Sequence, residues 1–236
     1  MIITNKSDID LSNLSEGRVL LIDKDKNKTS FNVVSNVRRI FNIKKVGHAG
    51  TLDPAATGLL IVALGRKTKE IYKYQDMPKT YTGVITLGKK TPSMDSETEP
   101  IEVKSFEHVS EDDIEDVRKT FLGEIQQIPP MYSALKHKGK ALYKYARKGI
   151  EIKREPRIVN IYSFEINKIK LPDITFKIEC SKGTYLRVIA DDFGSKLNCG
   201  AYLSKLRRTQ IGKYKVEDAL TIAELDKKVS LQNNRI

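Results

Sequence analysis

Tryptophan is absent from this 236-residue chain, and cysteine and histidine are scarce, at two and three copies. Cys180 and Cys199 are too few for a disulfide scaffold and sit in no Cys-x-x-Cys or histidine-rich setting, so both read as small core residues rather than metal ligands. His48, His108 and His137 are scattered, which leaves a metal-dependent hydrolase no ligand cluster to build on; neither metal nor cofactor is expected. Long apolar runs are missing too. The longest, Leu59 to Leu64, falls far short of the roughly 20 residues that span a bilayer. Near the start, Lys6, Asp8 and Asp10 interrupt any signal-peptide-like stretch, so the expected location is the cytoplasm. Collagen-like, coiled-coil and low-complexity patterns are lacking, and 39% hydrophobic content suffices for a core of one large domain or two small ones.

Charge is present in excess and unevenly. The net charge is +12, yet residues 95–116 hold ten acids against one lysine, a net −9 that leaves +21 elsewhere. Lysine and arginine gather between Lys136 and Arg157 and again from Lys205 to Lys215, with Tyr143, Tyr145, Tyr202 and Tyr214 interleaved. Such clusters are the footprint expected of a protein that meets a phosphate backbone. A solvated lysine-rich surface would look the same by charge alone.

Periodicity places the elements. Gly17 to Asp23 reads as a strand, and Ser30 is placed to cap a helix whose inner face is Val33 or Val34, Val37, Ile40 and Phe41. Tyr81, Gly83, Ile85 and Leu87 share parity along a strand, which directs the Tyr81 ring inward. Ser110 opens a helix with acids at its positive end, stopped by Gly123. A short basic helix around Leu142 and Tyr145 ends at Gly149. Ile174, Phe176, Ile178 and Cys180 alternate into a strand that leads to a helix with Ile189, Phe193 and Leu197 inward. Thr221 and Glu224 have capping-box spacing, and Asn233 to Ile236 should fray. Strands and helices mix without strict alternation, which supports an α+β class.

One segment stands apart chemically. In Gly47-His48-Ala49-Gly50-Thr51-Leu52-Asp53-Pro54-Ala55-Ala56-Thr57-Gly58, glycines permit tight backbone and Pro54 restrains its neighbour. A carboxylate fixed this way beside apolar structure suits a nucleophile or a base. It equally suits an Asx turn, in which Asp53 serves only the loop.

The segment resembles the nucleophile motif of the bacterial TruB-type tRNA pseudouridine synthases, and further blocks follow in the family's order. These are Lys79-Thr80-Tyr81 running into Leu87-Gly88, Ile128-Pro129-Pro130-Met131-Tyr132-Ser133-Ala134-Leu135-Lys136, Cys180-Ser181-Lys182-Gly183-Thr184-Tyr185-Leu186-Arg187, and Leu206-Arg207-Arg208. The resemblance covers roughly Gly17 to Leu225. It implies the pseudouridine synthase fold, a curved mixed, mainly antiparallel sheet flanked by helices around a central cleft. It also implies a single catalytic domain over residues 1–236, without the C-terminal RNA-binding (PUA) domain usual in the family. The implied reaction isomerises the T-loop uridine 55 of tRNA after base flipping. Asp53 would be the nucleophile, Arg187 its charge partner, and Tyr81 the stacking aromatic and possible base. His48 would contact displaced nucleotides, Tyr185 and Leu206 would line the pocket, and Lys136, Arg207 and Arg208 would grip phosphates. The partner implied is the T loop and T stem of tRNA, met by a monomer. One departure is visible: Lys24 is followed by Asp25 where the family has proline, which suggests a more mobile loop. A guide-RNA-dependent synthase and a non-catalytic tRNA-folding factor are the alternatives.

Overall fold

Residues 2–7 and 14–233 are described in the computed structural model; Asp8, Asp10 and the tail residues 234–236 lie outside them. In chain order the strands are β1 (Ile2–Ile3), β2 (Val19–Lys24), β3 (Val46–His48), β4 (Thr57–Leu64), β5 (Lys79–Leu87), β6 (Lys89–Lys90) and β7 (Glu102–Val103). There follow β8 (Gly123–Gln127), β9 (Lys136–His137), β10 (Lys140–Ala141), β11 (Arg157–Lys170), β12 (Asp173–Cys180), β13 (Ala201–Ile211) and β14 (Tyr214–Lys215). The helices are α1 (Ser30–Phe41), α2 (Ile71–Gln75), α3 (Glu111–Lys119), α4 (Leu142–Ala146), α5 (Leu186–Lys196) and α6 (Ile222–Asn233).

The chain divides into two units, one of residues 1–81 and 206–236, the other of residues 82–205, so β5 and β13 belong partly to each. In the first unit the strand order is β1-β2-β4-β13, with β3 added to β4 and β14 to β13. β2 runs antiparallel to β4 from Val19 opposite Ala63 to Lys24 opposite Gly58. β13 runs parallel to β4. The period of two along β2 and β4 sends alternate side chains to two cores. Leu20, Ile22, Leu60, Val62 and Leu64 join Val33, Val34, Val37 and Phe41 of α1; Val19, Leu21, Leu59 and Ile61 join Ile211 and Val216. Burial on both faces explains why β4 reads as an unbroken apolar run rather than an alternating one.

Helix α1 begins at Ser30 itself, so its cap lies one residue before the expected one. Thr29 is the N-cap, its hydroxyl accepting from the Asn32 amide while the Asn32 side chain accepts from Thr29. That leaves Ser30 free of capping duty, with consequences for the site. The helix ends at Asn42, whose left-handed φ of 48° lets its N–H reach the carbonyls of Arg38 and Arg39.

In the second unit the order is β5-β12-β11-β8, with the pairs β6-β7 and β9-β10 outside it. Gly83, Ile85 and Leu87 are buried along β5, as are Ile174, Phe176, Ile178 and Cys180 along β12. Phe121, Phe164, Phe176 and Phe193 pack as an aromatic cluster, with Phe121 and Phe193 stacked at 5.9 Å. Ser110 caps α3 as expected, with Asp113 returning the bond. The helix stops at Thr120, however, and Gly123, at φ 82°, opens β8 instead of ending α3. Thr221 and Glu224 form the reciprocal bonds of a capping box at the start of α6.

Candidate active site

Asp53 lies between β3 and β4, and its neighbours on both sides are held by residues distant in sequence. The turn itself is local: the Ala56 amide donates to the Asp53 carbonyl at 3.1 Å, with Pro54 at the position where its fixed φ favours such a turn. On the N-terminal side, Ser30 bonds Leu52 twice. Its hydroxyl accepts from the Leu52 amide at 2.9 Å and donates to the Leu52 carbonyl at 3.2 Å. Both residues are buried, so each bond replaces one that water cannot supply. On the C-terminal side, the Pro54 carbonyl accepts from the Asn27 amide at 2.8 Å and from Lys24 Nζ at 3.4 Å. Lys24 is fully buried and also donates to the carbonyls of Asp25 and Lys28. In place of the missing proline, the loop after β2 is thus tied by the lysine that precedes it.

Two arginines of β13 complete the cradle. Arg208 is 1% exposed; its guanidinium donates to the carbonyls of Leu59 at 2.7 Å and Gly50 at 3.2 Å, and reaches that of Thr51 at 3.5 Å. A guanidinium enclosed by backbone carbonyls cannot also lie on the surface, so Arg208 holds the loop rather than gripping phosphate. Gly58 lets β13 approach this closely: a Cβ there would stand 2.3 Å from the Arg208 carbonyl, and its φ is +105°. Arg207, on the opposite face, forms a two-point ion pair with Asp23 at 3.0 and 2.6 Å and reaches Thr57 at 3.4 Å. Leu206 is half-buried.

His48 ends β3 and is half-buried. Burial holds its pKa below the usual imidazole range, a hydrogen bond to Gly50 opposes this, and the positive Arg208 nearby adds to the lowering. A neutral, flat ring on this loop suits stacking better than proton donation. Tyr81 is buried at the inward-facing start of β5, as its parity predicts.

Arg187, in the second unit, is 5% exposed on α5. Its guanidinium donates to the carbonyls of Ser93 at 3.1 Å and Tyr132 at 2.8 Å, and pairs with Asp95 at 3.5 Å. Asp95 is itself buried, accepting from the Ser93 hydroxyl at 2.5 Å and the Glu97 amide at 2.9 Å. Tyr185 is fixed two residues earlier by Gln127, whose side-chain amide bonds both its N–H and its carbonyl, at 3.0 and 3.1 Å. Asp95, Ser30 and Gln127 escape a reading of the sequence. Asp95 is lost among the surrounding acids, Ser30 looks like a helix cap, and nothing local marks Gln127.

The basic segment 136–157 is largely exposed, with Lys136, Lys138, Lys140, Lys144, Arg147 and Lys148 facing solvent. Arg147 lies over the Tyr143 ring at 5.5 Å. Among the described residues no cluster of His, Cys, Asp and Glu could hold a metal ion, and no helix is long and apolar enough to cross a membrane.

Residues 38–186 match the TruB family pseudouridylate synthase (N terminal domain), and residues 187–235 match the tRNA pseudouridylate synthase B C-terminal domain. The chain belongs to the TruB family. It is 46% identical over 219 residues to tRNA pseudouridine synthase B of Chloroherpeton thalassium, covering 91% of each chain. With the protein of the same name from Flavobacterium johnsoniae it shares 47% over 214 residues, or 88% of this chain and 93% of that one. Among solved structures, a chain of a Cbf5-Nop10-Gar1 complex superposes with a TM-score of 0.75 at 29% identity; the match covers 97% of this chain and spans 59% of that one. The TruB assignment makes the protein an RNA pseudouridine synthase, an isomerase, with the fold of that class.

Proposed function

We propose that the protein converts uridine 55 in the T loop of tRNA to pseudouridine, acting as a cytoplasmic monomer without metal or cofactor, and that Asp53 is the nucleophile. The reaction breaks the bond from the ribose C1′ to N1, turns the uracil and joins C1′ to C5. One proton leaves C5 and one is taken up at N1, so no redox partner is required. A carboxylate suits the task because it adds and then departs again.

The observation that carries the assignment is the cradle around Asp53. Ser30 on one side, Lys24 and Asn27 on the other and Arg208 beneath fix the main chain that presents the carboxylate. Such prior fixing lowers the entropic cost of reaching a reactive geometry. To Tyr81 we assign stacking on the flipped uracil and removal of the C5 proton, to Arg187 the role of charge partner to the carboxylate, and to Tyr185 and Leu206 contacts with the base. His48 stacks with displaced nucleotides. Lys136 with its exposed neighbours, and the outer edge of Arg207, contact phosphates, which position the RNA without reading its sequence.

Incubation with an unmodified tRNA transcript in the absence of guide RNA, followed by mapping of pseudouridine, tests the reading. Conversion at position 55 is expected from the wild type. Asp53→Asn should lower it by about 10³-fold or more while leaving tRNA affinity within a few fold. Near-normal turnover of that variant would remove Asp53 from its role, and modification elsewhere would remove the T-loop site.

A further inference from the structure

Phe31 is 64% exposed although it lies in the first turn of a helix whose other large apolar residues are buried, as Val33, Val34, Val37 and Phe41 are, or partly buried against the core, as Ile40 is. A single surface phenylalanine needs no explanation by itself. Its surroundings supply one here. The preceding residue, Ser30, is the one that bonds Leu52 beside Asp53. The guanidinium of Arg38 lies 6.0 Å from the Phe31 ring centroid and donates to the Val46 carbonyl at 3.2 Å, two residues before His48. The ring therefore stands on a helix tied to both flanks of the segment that carries His48 and Asp53.

The charge around it has one sign. From Lys24 to Leu52 the chain holds seven lysines and arginines and a single acid, Asp25. Lys26, Lys28, Lys44 and Lys45 are exposed. A largely exposed aromatic ring, a cation over it and a basic rim form the combination on which unpaired nucleotides stack, since every base offers a π-face and every phosphate a charge.

Accepting tRNA as the substrate, we infer that Phe31 is a stacking platform for an unpaired nucleotide that flanks the target uridine in the RNA. The ring adds affinity outside the pocket and requires no particular base. Lys26 and Lys28 contribute the salt-dependent part through the adjoining phosphates.

The test measures binding of unmodified tRNA carrying 2-aminopurine at one unpaired T-loop position at a time. Phe31→Ala should weaken the Kd by about 5- to 100-fold, leave the Tm unchanged and abolish the quenching of 2-aminopurine at one of those positions. Phe31→Tyr should retain both affinity and quenching. A Kd for Phe31→Ala within twofold of wild type, with quenching intact, would overturn the inference. A lowered Tm with quenching intact would mark a packing residue and overturn it as well. Binding and quenching are read whether or not pseudouridine forms, so an inactive wild type would count against the proposed reaction and not against Phe31.

Discussion

Around Asp53 it is the main chain that is held, by a neutral hydroxyl at Leu52 and by Lys24 and Arg208 on neighbouring carbonyls. Around Arg187 it is the side chain that is held, by a buried carboxylate and two carbonyls. Both arrangements fix a charged group, but they fail differently. Removing a support of the Asp53 loop leaves its charge in place and loosens its position. Removing Asp95 takes a buried carboxylate from a buried cation, which is an energetic fault before it is a catalytic one. Perturbing the first should therefore register mainly in turnover, and perturbing the second mainly in folding.

The largest effect expected is that of Asp95→Ala. The loss of one partner of a buried ion pair costs about 3–5 kcal/mol, or about 6–20 °C in Tm for a chain of this size. The Ser93 hydroxyl and the Glu97 amide would also lose their acceptor. Thermal unfolding read by circular dichroism checks this, and a Tm within about 2 °C of wild type would erase the contrast between the two regions.

Ser30→Ala sharpens the comparison from the other side. Two buried backbone groups of Leu52 lose their partner, at about 1–3 kcal/mol. The sharper expectation is kinetic: single-turnover rates on tRNA fall about tenfold or more while KM is unmoved, because only the presentation of Asp53 changes. Ser30→Thr keeps the hydroxyl and should restore the rate. A variant that loses stability but keeps its rate would reduce Ser30 to a packing role.

Elements whose signal is local were legible in advance. The parity of Tyr81 to Leu87, the alternation from Ile174 to Cys180, and the caps at Ser110 and Thr221 follow from neighbours within a few residues. The Asp53 segment was visible too, because turn chemistry is local. What could not be read were pairings across long stretches of chain. Ser30 and Leu52 are 22 residues apart, Gln127 and Tyr185 58, and Arg208 and Gly50 158. Arg208 illustrates the cost of reading charge without topology. Beside Arg207 and Lys205 it looked like part of a basic surface. Yet the parallel register that sets it opposite Gly58 turns it into the interior, while Arg207 turns outward toward Asp23.

The smallest expected effect concerns the loop's own titratable group. His48 is held neutral in the fold by burial first and by the nearby charge of Arg208, so its pKa lies below the unfolded value of about 6.5. Above that pH neither state carries the proton and His48 costs nothing. As pH falls through 6.5 the unfolded chain binds a proton that the folded chain refuses, and stability declines until the folded pKa is passed. Asp191 and Asp192, whose burial raises their pKa, act with the opposite sign at lower pH, so the wild-type curve alone is not diagnostic. The difference between wild type and His48→Gln isolates the imidazole. Their Tm values should run parallel from pH 7.5 upward and diverge below about 6.5, with wild type falling faster. Parallel curves down to pH 5 would mean that the ring takes up its proton in the fold, which would leave a charged imidazole beside Arg208 and reopen the case for His48 as a proton donor.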